Sequence, residues 1–174
     1  MAERLCVDGV SPLGRVADPG TPELLIREMR AGDLPAVLGI ETASFANPWS
    51  AATFRNLLQR RGVALPVAQA ETGTILGYAV AWLAGQQAEL GNFAVHPVAR
   101  RQGVGARLLE STVVWARAHR VDSLFLEVRE SNGAARRLYE KAGFQAVDIR
   151  PGYYSSPREA AVVMRLTPVW RSPR

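Results

Sequence analysis

After one short strand-like run, apolar residues along the chain follow a helical spacing, then a strand-like one, then alternate between the two. Residues 24–29 read as a short strand. Asp33 can cap a helix running to Phe45, with apolar positions at Leu34, Val37, Leu38 and Ile40, and Ser50 can cap a second helix ending near Arg60. Residues 63–70, 74–84 and 88–95 are then rich in β-branched and apolar side chains, with turns at 71–73 and 85–87. That pattern predicts an antiparallel meander.

Helical spacing returns after Gly103 in Leu108, Leu109, Val113 and Ala116, predicting a helix to about Arg120. Residues 124–128 follow as a strand. Asn132 is a good N-cap for a helix expected to bury Ala134, Ala135, Leu138, Tyr139 and Ala142, with Gly143 in the left-handed stop position. Residues 144–149 and 160–166 complete the strands, and Tyr153 and Tyr154 fall in the expected loop between them. A meander followed by strand, helix, strand, helix, strand implies an α/β (α+β) domain, a mixed central sheet with helices on its faces. Residues 1–22 mix Gly, Pro, Asp and Ser without either period and read as a flexible extension, leaving a domain over 23–168 and a short tail over 169–174.

Composition agrees with a single domain: 174 residues, 48% hydrophobic and 21% charged, which excludes a disordered or fibrous chain. The formal charge is +5, and 20 of the 21 basic residues are arginine, Lys141 being the exception. Two readings of that bias stand: GC-rich coding, or an anionic partner matched by guanidinium forks. The N-terminus lacks a signal-like apolar run, and the most apolar stretch, 75–84, is half of a membrane span, so a cytoplasmic protein without membrane contact is expected. Cys6 alone cannot form an internal disulfide, and His96 and His119 read as a strand-end residue and a helix-end cation, so no metal is expected.

One segment carries chemistry. Arg100-Arg101-Gln102-Gly103-Val104-Gly105 follows a buried strand and opens a helix, a context in which glycines and free N–H groups hold an anion such as a pyrophosphate. It lacks the Gly-Lys-Ser/Thr of a Walker loop and the third glycine of a dinucleotide site. Elsewhere, Glu127 sits within the apolar strand 124–128, where partial burial makes a better base; a solvated carboxylate or a salt bridge with Arg129 is the structural alternative. Tyr139 lies on the helix face shared with Ala135 and Leu138, where core tyrosines are common.

These segments together resemble the GCN5-related N-acetyltransferases (the GNAT superfamily): Arg100-x-x-Gly103-x-Gly105 after 91–97, then Asn132 and the run 138–144, across residues 24–167. The resemblance implies the GNAT fold, with six to seven strands and about four flanking helices. It implies acetyl-CoA as co-substrate, bound by the main chain of Phe93, Ala94 and Val95, by the loop of Arg101, Gln102, Gly103, Val104, Gly105 and Ala106, and by Asn132. It also implies Glu127 as base and Tyr139 as acid. Pro48-Trp49-Ser50, the run 126–132 and Arg150-Pro151-Gly152-Tyr153-Tyr154 resemble most the ribosomal-protein alanine N-acetyltransferases, the RimI group. That resemblance implies ribosomal protein S18 as acceptor, with Tyr153 and Tyr154 walling a slot for its N-terminus. Two positions depart from the pattern: Gly91 stands where a bulkier residue is common, and Ala160 where an acidic one usually follows Glu159. The rival readings are acetylation of a small-molecule amine or lysine, and a non-catalytic acyl-CoA- or RNA-binding module. Arginines spread along the chain, without clustered aromatics, weigh against direct nucleic-acid binding.

Overall fold

The computed structural model describes residues 24–169. Cys6, the expected extension over 1–22 and the last five residues lie outside them. Twelve elements follow in order: β1 (Leu24–Glu28), α1 (Leu34–Ser44), α2 (Ala51–Leu58), β2 (Val63–Ala64), β3 (Pro66–Ala70), β4 (Ile75–Ala84), β5 (Gln87–Val95), α3 (Val104–Ala118), β6 (Ser123–Arg129), α4 (Gly133–Lys141), β7 (Gln145–Ser155) and β8 (Arg158–Leu166). They form one mixed sheet in the order β1-β3-β4-β5-β6-β8-β7, with β2 paired to β4. All pairs are antiparallel except β5 with β6.

Two of the three expected N-caps form, the Ser50 hydroxyl and the Asn132 side chain accepting from the N–H of Thr53 and Ala135, and Gly143 adopts φ +94°. Asp33 precedes α1 but makes no cap bond to it, because its carboxylate accepts instead from Arg30 N–H and the Arg27 guanidinium, at 2.7 Å each. Where the structure differs, the reason is local. The single strand expected over 63–70 is two, bringing the sheet to eight strands. Both pieces pair with β4 in one register, Val63 with Trp82 and Val67 with Tyr78. The ladder breaks because Pro66 has no N–H and Leu65 turns its own N–H to Glu28 Oε2, 3.1 Å away. Tyr153 and Tyr154 lie within β7 and not in a loop. That edge strand absorbs Pro151 and Gly152 as a bulge between the pairs Arg150–Ala161 and Tyr154–Glu159. Ala134 and Ala142 are exposed, so α4 buries a narrower face than its spacing predicts. Val169, one residue past the expected domain end, is fully buried and accepts from Arg117 Nε at 2.8 Å.

The sheet separates two apolar layers. Under α3 and α4 lie Ala79, Leu90, Leu109, Leu126, Val128, Tyr139 and Met164, while α1 and α2 cover Tyr78, Val80 and Val67 on the opposite face. Within the second layer Glu41 is 1% exposed. Its carboxylate accepts from the Tyr78 hydroxyl, from Asn92 Nδ2 at 3.2 Å and from Trp49 N–H at 2.7 Å, tying α1 to β4, β5 and the approach to α2. Burial pushes its pKa up, against the lowering effect of the Trp49 and Asn92 donors. Among the described residues no helix is long and apolar enough to cross a membrane.

Each donor orphaned in that layer costs about 1–3 kcal/mol. Glu41→Ala is therefore expected to lower the unfolding free energy by about 3 kcal/mol in a urea titration. A loss below about 1 kcal/mol would show that the carboxylate does not hold these elements together.

Candidate active site

The geometry of the site follows from one break in the sheet. β5 and β6 pair from Gln87–Ser123 to Leu90–Leu126 and no further. Beyond that point β5 stays with β4 through Asn92, Phe93, Ala94 and Val95, while Glu127, Val128 and Arg129 stay with β8. The two strands therefore diverge, and the β5 edge from Gly91 to Val95 has no strand partner on its β6 side among the described residues. An unpaired parallel edge presents N–H and C=O groups to any extended amide-bearing ligand.

At the far end of that edge the chain passes through a 3-10 turn and reaches α3. Gly103 is its N-cap with φ +81°, a left-handed conformation that costs a side-chain-bearing residue, and no side chain caps the helix. The first N–H groups of Val104, Gly105 and Ala106 thus start a 15-residue helix with its positive dipole end exposed. Val104 turns its own side chain into the core, 1% exposed, so only its main chain is available to a ligand. Gln102 Nε2 donates to Val98 O at 2.9 Å and Arg100 Nε to Val95 O at 3.0 Å, fixing the loop against the end of β5. At position 105 a Cβ would lie 3.3 Å from Leu138 Cδ2, so the absence of a side chain lets α3 approach α4 across the break. Asn132 spends its side-chain oxygen on the α4 cap. This donor set fits an anionic cofactor with an amide-bearing arm.

Glu127 and Tyr139 stand on opposite faces of the sheet. Glu127 alternates with Leu126 and Val128 and shares its face with Glu89 and Phe125, lining an open cavity of about 410 Å³ with Asp148 and Arg150. Its side chain is 19% exposed, as expected for a strand carboxylate, but its ion-pair partner is Arg150. Arg129, the partner considered from sequence, goes instead to Glu159 at 3.2 Å, to the carbonyls of Ser156 and Pro157, and over the Tyr154 ring at 4.1 Å. It therefore clamps the β7–β8 hairpin that carries the two tyrosines. Tyr153 hydrogen-bonds Glu127, and that bond, more than burial, pushes its phenol up to about 12. The Tyr153 and Tyr154 rings meet edge to face at 5.2 Å.

Tyr139 is 5% exposed beneath α4, with Phe144 at 5.9 Å and Phe93 at 6.1 Å between ring centroids. Burial, then the nearby Tyr154, raise its pKa well above that of a free phenol. Tyr139, Tyr153 and Tyr154 thus all stay protonated at neutral pH. The Glu127 charge raises the pKa of both Tyr153 and Tyr154, and Tyr154 in turn raises that of Tyr139, so these four groups lie near one another.

Glu89 was not found from sequence. It sits one residue before the end of the β5–β6 pairing, and burial followed by the Glu127 charge raises its pKa. The alternation of Gln87 and Glu89 with Ala88 and Leu90 turns it away from the core, and the pairing of β5 with β6 puts that face beside Glu127. His96 Nδ1 accepts from Val98 N–H and His119 Nδ1 lies 2.9 Å from Trp115 O, and no group of metal-ligating side chains occurs among the described residues.

Known proteins resemble this chain in sequence and fold. The acetyltransferase (GNAT) family profile matches residues 34–144. The chain is 38% identical over 143 residues to the ribosomal protein bS18-alanine N-acetyltransferase of Escherichia coli strain K12, spanning 81% of this chain and 95% of that one. The crystal structure of the ribosomal-protein-S18-alanine N-acetyltransferase from Escherichia coli is 35% identical and superposes with a TM-score of 0.77, covering 87% of this chain and 97% of that one. Ard1 from Thermoplasma volcanium is 28% identical with a TM-score of 0.75, covering 83% and 97%. The open β5 edge, the uncapped α3 terminus and these likenesses converge: the chain belongs to the GNAT family and is an acetyl-CoA-dependent N-acetyltransferase.

Proposed function

We propose that the chain acetylates the α-amino group of a protein beginning with a small residue, with the N-terminal alanine of ribosomal protein S18 as its substrate. The observation that carries this reading is the placement of Glu127 and Tyr139 on opposite faces of the sheet, joined through the break between β5 and β6. The β5 edge would hold the acyl donor, and an amine would reach it from the Glu127 side. The names of the relatives supply the acceptor, and the tyrosine-walled slot on β7 gives an extended N-terminus a surface to lie against. A ribosomal acceptor places the reaction in the cytoplasm.

The main chain of Phe93, Ala94 and Val95 pairs with the pantetheine arm, and the N–H groups from Arg101 to Ala106 hold the pyrophosphate. Asn132 borders the arm. Acetyl-CoA supplies the activated acyl group; the protein supplies position and protons. Glu127, released from Arg150 by the arriving ammonium, takes the proton that the amine must lose before attack. An α-ammonium with pKa near ~8 gives up that proton about 3 kcal/mol more easily than a lysine at ~10.4, which favours the N-terminal acceptor over a side chain. Tyr139 keeps its proton until the sulfur carries charge, because burial raises its pKa. Its first contribution is a hydrogen bond to the leaving thiolate, with complete transfer uphill against a thiol near ~8.5. Transfer is direct, within a ternary complex.

An S18-like N-terminal peptide incubated with acetyl-CoA and this enzyme should gain an acetyl group at its α-amine, in preference to polyamines or a blocked peptide with an internal lysine. Turnover of the small amines alone would overturn the acceptor assignment. Glu127→Gln should lower kcat by about 10²-fold or more, and Tyr139→Phe by about tenfold or more, with acetyl-CoA affinity by calorimetry within about twofold. Unchanged kcat in both variants would remove both assignments. Glu127→Gln also deletes the like charge beside Glu89, so the Glu89 carboxyl should titrate at lower pH in a carboxyl-carbon NMR titration, while burial holds it above an ordinary glutamate.

A further inference from the structure

Gly91 marks the start of the break. It is the first β5 residue past the last β5–β6 pair, and it is the extra residue of a bulge, since Val80 pairs with Asn92 while Ala81 pairs with Leu90. A Cβ at this position would come within 1.8 Å of Cη2 and 2.1 Å of Cζ3 of Trp82. The six-membered ring of Trp82 therefore occupies the space that a side chain at position 91 would fill. Trp82 is held there from other sides as well. It packs against the layer containing Phe54 and Tyr78, and it is the cross-strand partner of Glu89, whose carboxylate its side chain hydrogen-bonds. Its pairing with Glu89 sets it on the face that carries Glu89 and Glu127, and it remains partly exposed.

We infer that Trp82 is the specificity-determining floor of the acceptor slot: its ring, seated over Gly91 at the mouth of the β5–β6 break, admits a small first side chain and excludes a larger one. This rests on the reading that the acceptor is a peptide α-amine. The reacting nitrogen must reach the break from the Glu127 side, and the first side chain branches from the carbon next to that nitrogen. That side chain has to settle beside the strand end where β5 leaves β6. Trp82 fills that place from β4, doing with a side chain on one strand what a bulky residue at 91 would do from its neighbour.

The test compares kcat/KM for peptides that differ only in a first residue of Ala or Leu. The wild-type enzyme should prefer Ala. Trp82→Ala and Trp82→Leu should each lower the Ala/Leu ratio by about tenfold or more, chiefly through faster turnover of the Leu peptide. Gly91→Leu in the Trp82→Ala background should restore the ratio by refilling the same space from β5. Trp82→Phe, which keeps a ring and loses the N–H, should retain most of the preference. Should Trp82→Ala fail to fold, Trp82→Leu and the double variant decide. A ratio within about twofold of wild type in the folded variants, with the Ala peptide still acetylated, overturns the floor and leaves the acceptor reading standing. A wild-type enzyme that acetylates neither peptide overturns both.

Discussion

The pairing of β5 with β6 ends at Leu90 and Leu126, and the candidate site depends on that ending. Parallel strands packed on both faces ordinarily keep their ladder, so something must draw these two apart. On the β5 side the bulge at Gly91 turns the strand, and Asn92 is bonded to the Glu41 carboxylate beneath α1. On the β6 side the ladder with β8 continues through Glu127, Val128 and Arg129. Each strand is thus committed to a different neighbour. The gap joins the two faces of the sheet, and the helices α3 and α4 close over it through the contact of Gly105 with Leu138.

Charge is arranged around that gap by sign. The uncapped start of α3 offers N–H groups and a positive dipole end on one side. Across the sheet, Glu89 and Glu127 form an acidic pair, held in check by Arg150 and by the Trp82 hydrogen bond. That separation of sign suits an anionic cofactor on the α3 side and, on the proposed reading, a cationic acceptor on the other. Arg129 anchors the β7–β8 hairpin beside it. It ties Glu159, the hairpin carbonyls and the Tyr154 ring into one cluster, and donors from Ser131 and Arg129 hold the Glu159 carboxyl below the usual range.

Much of this was legible in the chain because it is local. Helix caps at Ser50 and Asn132, the left-handed Gly143 and the Gly103 turn follow from residue type and spacing, and the structure has each of them. The same holds for Glu127 on a half-buried strand and Tyr139 on the inner face of α4. What escaped is pairing between distant segments. Arg150 and not Arg129 meets Glu127 because β7 lies outside β8, an order that periodicity along one strand does not encode. Pro151 and Gly152 read as a loop, yet an edge strand tolerates them as a bulge. Glu89 carries no signal of its own along the chain, because what sets it apart is the pairing with β6 and the Glu127 charge that comes with it. Gly91, unusual in sequence, became interpretable once Trp82 was seen in its place.

The account stands or falls on the open edge of β5. Amide hydrogen exchange, resolved by NMR and measured with and without saturating CoA, reads it directly. Amides of residues 91–95 that face away from β4 should exchange fast in the free enzyme and slow by about tenfold or more when CoA is bound, while those bonded to β4 are slow in both states. Exchange along this edge that CoA leaves unchanged, with protection appearing on another strand, would contradict the claim that the break between β5 and β6 is where the cofactor lies.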